Sequence, residues 1–249
     1  MGTRVWDCSE DGKIEYVSLN PEFLQGALNV LRGGFFPHES ASVAVDLAKH
    51  PDAMTDLEDL SIGAAKDGVS VVAIEKSTKK VVGVAFNKLQ VKNDPGEESF
   101  YDKHAKSCKH PASRGLIKFM MDVDATVDLF EQCNINCLLE VMFLAILPEF
   151  RKRGIGKKLC EISMRVAKSL NDGENVKQAV EIGKSLPLEP VPQIVSALFT
   201  SPTSQKIGRA LKWEIVARSS YEEHFHEGRS YASVLGKDNP CTTLEFTRI

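Results

Sequence analysis

Leu144-Ala145-Ile146-Leu147-Pro148-Glu149-Phe150-Arg151-Lys152-Arg153-Gly154-Ile155-Gly156-Lys157-Lys158-Leu159 joins an apolar run, a basic loop and the start of an amphipathic segment. Traced back to Leu138, the apolar run reads as a strand covered on both faces. Pro148 ends it, and Ile155, Leu159, Ile162 and Val166 then follow at helical spacing. The expected unit is a strand, a loop and a helix N-terminus. Free backbone N–H groups and the helix dipole at such a terminus favour an anion, a diphosphate above all. Gly154 and Gly156 permit conformations and approaches that a Cβ resists. Arg151, Lys152, Arg153, Lys157 and Lys158 add positive charge. The loop lacks the Gly-x-x-x-x-Gly-Lys-Ser/Thr of a P-loop and the third glycine of a dinucleotide fingerprint. The competing reading is a basic surface turn.

The chain has 249 residues, 43% apolar and 26% charged, with a net charge of −3. Those are the proportions of a soluble globular protein, and a single domain over 1–249 is expected. A mildly acidic chain offers no global field for nucleic acid, so a local basic loop suits a small anion. Among the six cysteines only Cys133 and Cys137 lie close, without a second Cys/His pair at zinc spacing. No metal site is expected, and reduced thiols fit a cytoplasmic setting. Residues 1–13 are polar, without the apolar core of a secretory signal, and no run is long enough to span a bilayer. No membrane partner is expected. Nothing specifies an oligomer, which leaves a monomer as the default.

Residues 1–13 read as a loose terminus and Ile14–Leu19 as a strand. Asn20-Pro21 starts a helix with Phe23, Leu24, Ala27, Leu28 and Leu31 on one side, closed by Gly33-Gly34. Helices are expected over about 41–50, 53–66 and 115–132, a hairpin over 69–90, and a loop insertion over 91–115. Beyond the glycine-loop helix come a strand within 191–199, a helix over 204–211, and strands over 213–218 and 242–249. This order means a mixed sheet with helices on its faces, an α/β or α+β protein.

The Arg-x-x-Gly-x-Gly spacing at 151–156, after such a strand, resembles the acetyl-CoA signature of the GNAT superfamily of N-acetyltransferases. The element order resembles that superfamily too, over roughly 14–249. More narrowly, the chain resembles the insect arylalkylamine N-acetyltransferase branch. Phe35-Phe36 followed by Glu39 is similar to a region of that branch in which a glutamate serves as general base. Thr200-Ser201-Pro202-Thr203-Ser204 is similar to its hydroxyl-rich segment ahead of a late Leu-Gly-Phe turn, here Leu211-Lys212-Trp213. Lysine stands where glycine is usual in that turn, and His38 and Ser40 flank Glu39 where Asp and Pro are common.

The resemblance implies a mostly antiparallel mixed sheet of about seven strands, with two central parallel strands splayed apart. It implies acetyl-CoA as co-substrate, held by Leu144, Ala145 and Ile146 along the pantetheine arm and by Arg151, Lys152, Arg153, Gly154, Ile155, Gly156 and Lys157 at the diphosphate. Glu39 is the candidate base, and apolar neighbours would raise its pKa. Ser204, with Thr200 and Thr203 nearby, is the candidate partner of the leaving thiolate; Tyr221 and Tyr231 are alternatives. Phe35, Phe36 and Glu39 are candidate amine contacts, with Asp46, Glu222 and Glu223 as further acids for a second amine. Each has a plainer reading: a helix cap for Glu39 and Ser204, core packing for Phe35 and Phe36, a packed thiol for Cys160. The expected acceptor is a small arylalkylamine; the alternative is a polyamine or agmatine. A protein acetyltransferase and a non-catalytic acyl-CoA-binding module are the remaining readings.

Overall fold

The computed structural model describes residues 2–94 and 96–249. Met1 of the expected loose terminus and Pro95 of the expected insertion lie outside the described residues. The chain opens with strands β1 (Val5–Cys8) and β2 (Ile14–Ser18) and helix α1 (Pro21–Val30). Asn20 caps α1 by accepting from the Phe23 N–H, with Pro21 at the first position. Next come α2 (Ser40–Ala44), α3 (Pro51–Ala65), β3 (Val71–Glu75) and β4 (Lys80–Val91). Helices α4 (Phe100–Ser107), α5 (Pro111–Asp124) and α6 (Leu129–Cys133) lead into β5 (Cys137–Ile146) and α7 (Ile155–Asn171). The rest is β6 (Ile194–Phe199), α8 (Pro202–Leu211), β7 (Glu214–Ser220), the β8 (Phe225–His226) and β9 (Arg229–Ser230) hairpin, α9 (Tyr231–Leu235) and β10 (Cys241–Arg248).

Eight strands form one sheet in the order β1-β2-β3-β4-β5-β6-β10-β7. Every neighbouring pair is antiparallel except β5 and β6. The mixed α/β architecture is as expected, with one strand more. The extra strand is β1, within the supposedly loose terminus. It pairs with β2, and Trp6 Nε1 donates to Ser18 Oγ at 2.9 Å. The insertion over 91–115 also differs from expectation, because it contains α4 and the start of α5. Ser99 and Asp102 form a reciprocal capping box on α4. Gly33-Gly34 does not stop the first helix, which runs on as a π-helical turn over Leu31–Phe35. The helix expected over 115–132 is two helices, α5 and α6.

Two packed layers sandwich the sheet. One gathers Leu28, Leu57 and Leu116 with Val72, Val84 and Phe86, and the other Leu159, Ile162 and Val166 with Val71, Ala73 and Ala85. Along β5 the alternation changes phase. Leu139 and Val141 face the α7 layer, yet Phe143 and Ala145 face the opposite one. The β4–β5 register supplies the reason: Phe86 pairs with Phe143 and Asn87 with Val141, so Met142 is an extra residue, a β-bulge. The bulge sets Met142 and Phe143 on the same face.

Candidate active site

The parallel pairing of β5 and β6 covers only Leu139 with Val195 and Glu140 with Ser196. Both strands continue past that point, β5 to Ile146 and β6 to Phe199, without pairing further. The bulge at Met142 lies where they part, and bulges bend a strand and increase its twist. A cavity of about 630 Å³ occupies the opening. It reaches from the N-terminus of α7 to Glu39, between Leu144 and Ile146 on one side and Leu198 and Thr200 on the other.

The anion end is the loop 151–157. Lys152 and Gly154 adopt left-handed conformations with φ of 60° and 77°. Gly154 caps α7 without any side-chain acceptor for the first-turn N–H groups. A Cβ on Gly154 would meet nothing within 4 Å, whereas one on Gly156 would lie 3.1 Å from Ile146 and 3.2 Å from Ile207. The first glycine thus leaves an open face beside the helix N-terminus, and the second lets α7 approach β5 and α8. Lys152 and Arg153 are exposed. Lys157 pairs with Glu161 at 3.2 Å, and Lys158 with Glu161 and Asp7 at 3.0 and 3.3 Å. Leu147 N–H donates to Val82 at 3.0 Å, so by two-residue alternation Leu144 and Ile146 turn their backbone groups from β4 toward the gap. Ala145 turns toward β4 and lies outside the cavity lining.

Glu39 sits at the other end. Its carboxylate caps α2, accepting from the Ala41 and Ser42 N–H groups at 2.8 and 2.7 Å and from Ser42 Oγ at 2.8 Å. Thr200 Oγ1 crosses from the end of β6 and donates to it at 2.6 Å. The apolar setting expected for Glu39 is therefore replaced by four donors. Thr200 is fixed in turn, because the buried Tyr221 hydroxyl donates to its carbonyl at 2.6 Å. Burial pushes Tyr221 and Tyr231 well above the usual tyrosine range, and neither lines the cavity. Ser204 lines it at the N-terminus of α8, where it also forms a capping box with Ser201. Thr203 lines the same rim.

The two phenylalanines part company. Phe35 lines the cavity and meets Phe143 edge-on at 5.3 Å, while Phe36 is fully buried in the core. Leu116, Phe119 and Met120 of α5, with Met142, complete the wall and were not anticipated from the sequence. For the three α5 residues the signal was the apolar stripe of the helix expected over 115–132, in which Leu116, Phe119 and Met120 recur at a spacing of three and four. Among the described residues Glu39 is the one carboxylate lining the cavity. Asp46 pairs with Arg229 at 2.6 Å and Lys49 at 3.0 Å, and Glu222 and Glu223 are exposed. His224 shares a hydrogen bond with Ser219 Oγ at 2.7 Å, and His226 packs on Gly115. Cys160 is fully buried, its thiol pushed up to about 12 by desolvation. Away from the cavity, the buried Glu140 accepts from Gln90 at 2.8 Å and from the Tyr101 hydroxyl.

No family model matches the sequence. Among solved structures, an arylalkylamine N-acetyltransferase 2 from Aedes aegypti superposes with a TM-score of 0.75 at 21% identity, covering 95% of this chain and 99% of its own. A putative arylalkylamine N-acetyltransferase 7 from the same mosquito gives 0.75 at 17% identity, over 100% and 96%. A polyamine N-acetyltransferase from Drosophila melanogaster that forms N-acetylagmatine gives 0.72 at 14% identity, over 95% and 100%. This chain has the fold of the GNAT N-acetyltransferases.

Proposed function

We propose that the protein transfers the acetyl group of acetyl-CoA to the primary amine of a small arylalkylamine, by direct attack within a ternary complex. The observation that carries this reading is one continuous cavity joining an uncapped helix N-terminus to a hydrogen-bonded carboxylate through a gap between parallel strands. The diphosphate sits on the N–H groups of Lys152 to Lys157, where the dipole of α7 adds to them. The pantetheine arm follows the free backbone of Leu144 and Ile146.

Alkylamines have pKa values near ~10, like lysine, so the acceptor arrives protonated. The Thr200 hydroxyl donates to Glu39 and can accept from the amine, directly or through a water. A proton passes along that line to the carboxylate. The neutral nitrogen attacks the thioester carbon, and backbone N–H groups of the gap stabilise the oxyanion, at roughly 3–4 kcal/mol per donor. The C–S bond breaks, and the thiolate leaves toward Ser204 and the N-terminus of α8, which favours an anion. The second amine proton goes to sulfur or solvent, yielding the amide and free coenzyme A.

Phe35, Leu116, Phe119, Met120, Met142 and Phe143 make the acceptor end apolar, with Glu39 as its one acid among the described residues. An aromatic ring gains from that wall, whereas the distal charge of agmatine or spermidine would be buried unpaired. Thiol release measured with acetyl-CoA and a panel of amines tests this. Tryptamine and tyramine are expected to turn over and agmatine and spermidine to fail. Preferred turnover of either polycation would overturn the aromatic assignment, and no turnover with any amine would overturn the reaction.

A further inference from the structure

Arg151 opens the basic loop, yet its side chain is engaged elsewhere than an anion requires. Nη2 donates to the Gly34 carbonyl at 2.7 Å, and Nε to the Ile146 carbonyl at 3.3 Å. Gly34 lies in the π-helical turn that ends α1, so its carbonyl belongs to the negative end of a helix, where a cation is favoured. Ile146 is the last residue of β5, and its carbonyl faces the gap instead of β4. The two backbones touch at this seam: a Cβ on Gly34 would lie 2.7 Å from the Ile146 oxygen. Immediately beyond Gly34 come Phe35, which walls the acceptor end, and Glu39, whose N–H donates to the Phe35 carbonyl at 2.8 Å. His38 N–H donates to the same carbonyl at 2.8 Å. The segment from Gly34 to Glu39 is therefore a short hydrogen-bonded unit with its near end under the Arg151 fork.

We propose that Arg151 is a positioning residue for the amine side of the cavity. Its guanidinium fastens the Gly34–Glu39 unit to the end of β5, while the backbone of residues 152–157 holds the diphosphate. The catalytic consequence rests on the proposed acetyl transfer; the fastening itself does not. A planar guanidinium spans two carbonyls at once, which an ammonium does not reproduce. Arg151→Lys should accordingly fall between wild type and Arg151→Met.

The experiment compares Arg151→Met, Arg151→Lys and Gly34→Ala with wild type by three readouts: calorimetric titration with coenzyme A, steady-state kinetics with acetyl-CoA and tryptamine, and amide hydrogen exchange at Phe36, His38 and Glu39. For Arg151→Met the coenzyme A Kd is expected to stay within about threefold, while kcat/KM for tryptamine falls about tenfold or more at unchanged acetyl-CoA KM. Exchange at the three amides should quicken by about tenfold or more. Gly34→Ala crowds the seam while keeping the Arg151 side chain itself and should give the same split; if it does not fold, the two Arg151 variants still carry the test. A coenzyme A Kd raised about tenfold with exchange unchanged would make Arg151 a diphosphate ligand and overturn the proposal. Unchanged exchange in an active series overturns it as well. Quickened exchange in a protein that turns over no amine, wild type included, supports the fastening and sinks the transfer reaction alone.

Discussion

Replacing Glu39 by alanine separates two tasks that one carboxylate performs. It caps α2 through two backbone N–H groups and Ser42, and it receives the Thr200 hydroxyl from β6. Loss of a cap costs about 1 kcal/mol, up to about 2. A domain with at least ~5 kcal/mol of stability then retains about 3, which leaves more than about 99% of molecules folded. Loss of a general base costs about 10²–10⁴ in rate, or roughly 3–5 kcal/mol in the barrier. The two effects differ enough to be read apart. Thermal melts and thiol release at saturating acetyl-CoA and tryptamine should show a small drop in melting temperature and a drop in kcat of about a hundredfold or more. Thr200→Val removes the donor to Glu39 without removing the acid. If the pair acts as a unit, the double variant is about as slow as Glu39→Ala alone. A kcat for Glu39→Ala within about threefold of wild type, in a folded protein, would remove this carboxylate from the chemistry.

Three further outcomes are expected. Lys212 ends α8 in a left-handed conformation with φ of 59°; Lys212→Gly should stabilise by about 0.5–1 kcal/mol, the left-handed strain outweighing the extra freedom of glycine when unfolded, and an unchanged or lower melting temperature would refute this. Burial pushes Asp124 well above the ordinary carboxylate range, aided by the charge of Glu140, itself raised by burial. Such groups keep protons that the unfolded chain sheds, so they erode stability as pH climbs from the ordinary carboxylate value toward their raised one. Asp124→Asn should then raise the melting temperature relative to wild type at about pH 8 and change it little at about pH 4; an equal shift at both would contradict the assignment. Leu116, Phe119 and Met120 of the acceptor wall are apolar side chains that cannot pair a ring hydroxyl, and an unpaired buried hydroxyl costs about 1–3 kcal/mol. Tryptamine should exceed dopamine in kcat/KM by about tenfold or more, and parity between them would place a polar group at the ring.

The strand from 138 and the loop at 151–157 were legible because an apolar run, a proline and two glycines follow each other without interruption. The cavity between β5 and β6 was reached only through resemblance, since no local pattern encodes where two distant strands stop pairing. The bulge at Met142 is invisible to a period of two: Phe143 and Leu144 are both apolar, and only the β4 register shows which one faces α5. β1 escaped notice because Val5-Trp6-Asp7-Cys8 is short and sits among polar residues, and Trp6 finds its cover in the nearby Arg4, in Ser18 on β2 and in Arg165 far along the chain. α4 carries few apolar residues, yet Ser99 and Asp102 announced its start. For Glu39 and Ser204 the catalytic and capping readings do not compete, because both caps point into the same space. Arg151 was legible as a charge, and its partners Gly34 and Ile146 were not, because they are carbonyls.

The parting of β5 from β6 leaves the molecule joined across its middle chiefly by side chains. β4 holds β5 over nearly its whole length and β10 holds all of β6, so neither flank depends on the other for main-chain support. On the proposed function, a coenzyme arm lying in the cleft would act as a guest strand, restoring amide contacts that the polypeptide omits. Its occupancy would then brace the entire molecule: at a hundredfold excess over Kd, linkage adds about 2.7 kcal/mol to the folded state.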